Sequence, residues 1–105
     1  MYPCEYFNSK TGHPTSEIAL DLYTYMQKIF QLIFERSFNS ILELGSGGGE
    51  ITSQFYKNNV DFVTVEGTRC GVAKLLEVGI PKDRIIFQDL KFMQPLEIYM
   101  MFAQS

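Results

Sequence analysis

The segment Glu43-Leu44-Gly45-Ser46-Gly47-Gly48-Gly49-Glu50 places four glycines within five residues. Between a strand and a helix, such a stretch lets the main chain turn tightly and approach a ligand that a Cβ would exclude. The plain alternative is a merely flexible turn, but glycines this dense at a strand-to-helix junction argue against it. Three acids stand near the loop. Glu43 precedes it inside an apolar strand, where an unpaired carboxylate is costly. A cationic ligand group would pair with it, as would a Lys or Arg of the protein. Glu66 follows about 20 positions after Gly45, the spacing at which an acid accepts hydrogen bonds from ribose hydroxyls. Asp89, in Gln88-Asp89-Leu90, follows a third apolar run and reads equally well as a solvated loop aspartate.

The residues around the glycines narrow the ligand. A phosphate-cradling P-loop needs Gly-Lys-Ser/Thr at its end, and this chain has Gly49-Glu50-Ile51. The dinucleotide fingerprint begins at Gly45 and Gly47 but then meets Glu50. A carboxylate in the first helical turn would repel a pyrophosphate seeking the helix N-terminus. A ligand without phosphates meets no such repulsion.

The run from Glu43 to Gly49 resembles the first motif of the class I S-adenosylmethionine-dependent methyltransferases, an acid followed by G-x-G-x-G. The resemblance implies that Gly45, Ser46, Gly47 and Gly49 bring backbone against S-adenosylmethionine, and that Glu43 orients its methionine amino group directly or through water. It implies that Glu66, followed by Gly67, holds the ribose hydroxyls. Asp89 and the backbone of Leu90 would then meet the adenine amine. The likeness covers about residues 15 to 103. It departs from the family at Gln88, where a small residue is usual, and at Met100, where an acid often opens the fourth strand. The family fold has seven strands in the order 3-2-1-4-5-7-6, and this chain supplies three or four. The resemblance therefore implies the cofactor-binding portion of a methyltransferase acting on a small-molecule acceptor, with most of the acceptor pocket missing. Weak or absent turnover by the chain alone is expected, and no catalytic residue is assigned. A non-catalytic cofactor-binding or assembly module is the second reading, and an NAD-type Rossmann oxidoreductase fragment the third.

Periodicity supplies the elements that must position these residues. Residues 1 to 14, with Pro3, Gly12 and Pro14, read as an irregular arm, and 15 to 105 as the domain. Thr15 or Ser16 offers an N-cap to a helix over 16 to 36, whose apolar face is Ile18, Leu22, Met26, Ile29 and Ile33. Ala19, Tyr23, Phe30 and Phe34 broaden that face. Strands follow at 40 to 44, 61 to 65 and 84 to 87. Between them lie a helix carrying Ile51 and Phe55, ended by Asn58 and Asn59, and a helix over 69 to 78 ended by Gly79. Ile98 to Ala103 reads as a fourth strand or a helix. The alternation predicts an α/β fold: a partial Rossmann-like, three-layer αβα arrangement with an N-terminal helix and a parallel sheet of three to four strands in the order 3-2-1-4.

Composition excludes several classes. The 105 residues are 46% hydrophobic, with a net charge of −3 and no concentrated basic face, which argues against a nucleic-acid binder. Cys4 and Cys70 fit no metal spacing and read as reduced thiols, Cys70 inert despite its place at a helix start. The N-terminus lacks the basic and apolar regions of a signal peptide, and the longest apolar runs are too short to span a bilayer, so a soluble cytoplasmic chain is expected. His13, in the arm, reads as a surface residue rather than a base. Tyr23 and Tyr25 read as core or flank, with contact to the cofactor as the alternative. The apolar run Ile98 to Ala103 would make an edge strand prone to pairing, which predicts a homodimer or a partner subunit.

Overall fold

The computed structural model describes residues 15–88 and 98–103. The elements are α1 (Ser16–Phe34), β1 (Ser40–Leu44), α2 (Glu50–Lys57), β2 (Asp61–Glu66), α3 (Arg69–Glu77), β3 (Ile85–Phe87) and β4 (Ile98–Phe102), with a short 3-10 turn at Lys82–Arg84. The α/β class, the N-terminal helix and the strand order β3-β2-β1-β4 are as the sequence predicts.

Each boundary has a local cause. Thr15 starts α1 by accepting from the Ile18 amide at 3.2 Å, and Thr68 starts α3 by accepting from the Gly71 amide at 3.0 Å. Gly79, at φ +95°, follows α3, and Ile80 beyond it is buried in the core. The face that α1 packs differs from the sequence expectation. Ala19 and Phe30 are buried, and Tyr23, Met26, Gln27 and Ile29 half-buried, whereas Ile18, Leu22 and Ile33 are exposed. The apolar arc of α1 exceeds the width that one helix contact can cover, and periodicity alone does not say which part turns inward. Ala19, the smallest residue on the arc, permits the closest approach and is fully enclosed.

The first three strands pair in parallel, with Glu43 beside Thr64 and Leu44 beside Val65. The fourth departs from the parallel expectation: β4 runs antiparallel to β1, with Leu44 opposite Ile98 and Ser40 opposite Phe102. Phe87 and Ile98 both lie at the edge of the sheet where β1, β2 and β3 end, so a strand entering there must run back. A parallel fourth strand would need a crossover of a dozen or more residues, usually a helix. Only residues 88–97 separate Phe87 from Ile98.

Strand alternation sends Ile41 and Glu43, together with Phe62, Thr64 and Glu66, to one side of the sheet. Thr52 of α2 reaches Glu43 there and Gly71 of α3 abuts Glu66, so these two helices share that side. Between the layers lies an aromatic core. Phe55 is fully enclosed, its ring 6.2 Å from Tyr23, 6.3 Å from Phe62 and 6.0 Å from Tyr99. The Gln27 amide fastens α1 to the entry of β1, donating to the Phe38 carbonyl at 2.9 Å and accepting from its amide at 3.0 Å.

Among the described residues, no helix is long and apolar enough to cross a membrane. Cys70 is disulfide-bonded, which corrects the expectation of a reduced thiol. Spacing along the chain tests a cysteine for metal motifs but says nothing of what folding brings beside it. Cys4 and the rest of the arm, His13 included, lie outside the described residues. The bonded Cys70 also removes the argument from free thiols for a cytoplasmic location.

Candidate functional site

The carboxyl ends of β1 and β2 adjoin, and the residues singled out by the glycine motif and by Glu66 meet there. The Gly45 amide donates to the Val65 carbonyl at 2.9 Å, extending the ladder one residue past β1. The chain then leaves the sheet through Gly45, Gly47 and Gly49, at φ +83°, +55° and +84°. These are the three alternate glycines of G-x-G-x-G, and the left-handed conformation they adopt is strained for a residue with a Cβ. Gly49 closes the loop by donating to the Ser46 carbonyl at 2.9 Å, and its own carbonyl accepts from the Ser53 amide in the first turn of α2.

Glu66 binds the loop from the neighbouring strand. It is 5% exposed. Its Oε2 accepts from the Ser46 hydroxyl at 2.9 Å and the Ser46 amide at 3.4 Å. Its Oε1 accepts from the Gly67 amide at 3.1 Å and from the Thr68 amide and hydroxyl, each at 3.2 Å. One carboxylate therefore collects donors from the glycine loop and from the approach to α3. Just past β3, the Gln88 amide donates to the Glu66 carbonyl at 3.1 Å. Asp89 and Leu90, the expected adenine contacts, lie outside the described residues.

Glu43 goes elsewhere. Fully enclosed, it points into the helix-facing layer, and its Oε1 accepts from the Thr52 hydroxyl of α2 and from the Thr64 hydroxyl of β2, the latter at 2.9 Å. These bonds tie β1 to α2 and to β2. Tyr23 packs edge-on against Phe38 and Phe55 in the core, and Tyr25 is on the exposed side of α1. Neither has been placed at the loop.

Two features of the site escaped sequence reasoning. Thr52 and Thr64 became partners of Glu43 only once the register was known. Gly71, by contrast, left a trace, because a glycine inside a helix usually marks a close approach. Here a Cβ at Gly71 would overlap the Glu66 carboxyl group. Gly71→Ala is therefore expected to displace Glu66 from Ser46 and to destabilise the fold by about 1–3 kcal/mol. Urea denaturation checks this, and an unchanged midpoint would show that the contact is slack.

The Glu50 carboxylate folds back over Gly48, close enough that a Cβ there would strike it. It thus holds negative charge at the N-terminus of α2, where a pyrophosphate would otherwise dock. A cleft of about 240 Å³ beside the loop, lined by Ser16, Gly49, Glu50, Ser53, Gln54, Lys57 and Val78, includes neither Glu43 nor Glu66. Among the described residues, no group of three or more His, Cys, Asp or Glu side chains is placed to hold a metal ion. Neither a protein-family model nor a curated protein nor a solved structure matches the chain.

Proposed function

We propose that the crevice at the ends of β1 and β2 binds S-adenosylmethionine, and that the chain is the cofactor-binding portion of a methyltransferase with a small-molecule acceptor. The observation that carries this reading is the bridge from Glu66 to Ser46, which sets an acid of the second strand against a glycine loop of left-handed turns. The residues present suit such a ligand. Gly45 and Gly47 offer half-exposed bare backbone, Gly49 turning instead against Val78 and Leu75 of the α3 end, and Glu66 is an acceptor that vicinal hydroxyls could reach by displacing the hydroxyls of Ser46 and Thr68. The Glu50 charge favours a nucleoside without phosphates over NAD. Bound there, the cofactor would supply an activated methyl group, and the protein's part would be to hold it in line with an acceptor.

Thermal-shift titration tests the reading. A ligand that binds only the native state stabilises it by RT ln(1 + [L]/Kd), about 2.7 kcal/mol at a hundredfold excess over Kd. S-adenosylhomocysteine is expected to raise the melting temperature and NAD to leave it unchanged. Stabilisation by NAD alone would move the assignment to a dinucleotide, and no response to either would remove it.

A further inference from the structure

We infer that α1 is a dimerisation helix whose partner is α1 of a second copy of this chain, packed antiparallel about a two-fold axis at Tyr25. Beside the face that α1 packs on the core runs a second stripe, Ile18, Leu22, Tyr25, Ile29 and Leu32, spaced 4-3-4-3. That is the spacing of a coiled-coil seam and not of a solvated face. The seam runs roughly 21 Å at about 1.5 Å per residue. Most of it is open to solvent: Ile18 is 50%, Leu22 40%, Tyr25 62% and Leu32 79% exposed, with Ile29 half-buried between them.

Charge selects both the occupant and the direction. Asp21 and Lys28, both exposed, flank the seam on the same side, each one residue before a seam position. An antiparallel two-fold pairing sets Ile18 against Leu32 of the second copy and Leu22 against Ile29. It simultaneously brings Asp21 to Lys28 of the second copy, and Lys28 to Asp21. A parallel pair would instead oppose these charges to the positions of Met26 and Ile33, where they find no partner. The stripe is thus complementary to itself in one orientation only, as a two-fold interface requires.

Sedimentation equilibrium of the full chain tests the inference. A dimer is expected. Leu32→Lys should weaken it by at least about tenfold, because it places a charge in the desolvated seam. The exposed position leaves the fold intact, which circular dichroism checks. Lys28→Asp should also weaken the dimer, and Asp21→Lys combined with Lys28→Asp should restore it. Tyr25→Cys should give a covalent dimer on oxidation. A monomer throughout the high-micromolar range overturns the inference, as does a dimer indifferent to Leu32→Lys. A dimer lost instead in Phe102→Lys would place the interface on the β4 edge and equally overturns it.

Discussion

Phe55→Ala is expected to abolish cooperative folding of the chain at physiological temperature. Replacing a fully enclosed Phe by Ala typically costs about 3–5 kcal/mol, through lost transfer energy and the cavity left behind. The total stability of a single domain is about 5–15 kcal/mol, and a chain this small falls towards the lower end. The cost at this position belongs at the upper end of its range because the site cannot collapse. The Phe55 ring touches Tyr23 from α1, Phe62 from β2 and Tyr99 from β4, three elements that hydrogen bonds and strand pairing fix independently. Phe55→Leu keeps most of the volume and should lose much less. Urea denaturation followed by far-ultraviolet circular dichroism reads both variants. A Phe55→Ala midpoint equal to that of the parent chain would show that the ring cluster does not hold α2 to the sheet.

The same residue shows what sequence could and could not disclose. That Phe55 faces inward was legible, because Ile51 and Phe55 share one side of a short helix whose other side is polar. That it forms the junction of three elements was not, since Tyr99 lies on a strand whose direction no local pattern encodes. Direction was the main misreading of the sheet. Apolar β-branched and aromatic runs identify strands, but the orientation of β4 follows from where residues 88–97 must deliver the chain. The glycine loop was legible in detail because a backbone demand is written in residue type: Gly45, Gly47 and Gly49 are the loop positions that adopt left-handed geometry. Glu43 was legible as a buried acid but not in its partners. The hydroxyls of Thr52 and Thr64 come from two other elements, and a threonine in a strand is ordinarily just a strand former. The working face of α1 was misread for a related reason. Its apolar arc contains two stripes, one for the core and one left outside, and a single helix viewed alone makes them one.

Glu66→Ala is expected to weaken S-adenosylhomocysteine binding roughly 100-fold, about 3 kcal/mol, the loss of two hydrogen bonds from sugar hydroxyls to a charged acceptor. The substitution also frees the Ser46 hydroxyl and the amides of Gly67 and Thr68 from their acceptor, so stability falls as well. Affinity must therefore be read by calorimetry well below the melting temperature, and stability separately by denaturation. Ser46→Ala separates the two roles of the carboxylate. An ionised carboxylate has about four lone-pair sites, and those of Glu66 are shared among five donors of the protein, two of them the rotatable hydroxyls of Ser46 and Thr68. A ribose must displace a hydroxyl to reach the carboxylate, whereas the amides can keep their bonds. Removing the Ser46 hydroxyl should therefore leave affinity unchanged or raise it, even as the loop loses a tether. If Glu66 serves only to fasten the loop, Ser46→Ala and Glu66→Ala should weaken binding together, in proportion to the stability each loses. Opposite responses of affinity to these two substitutions would mark Glu66 as the group that grips the sugar.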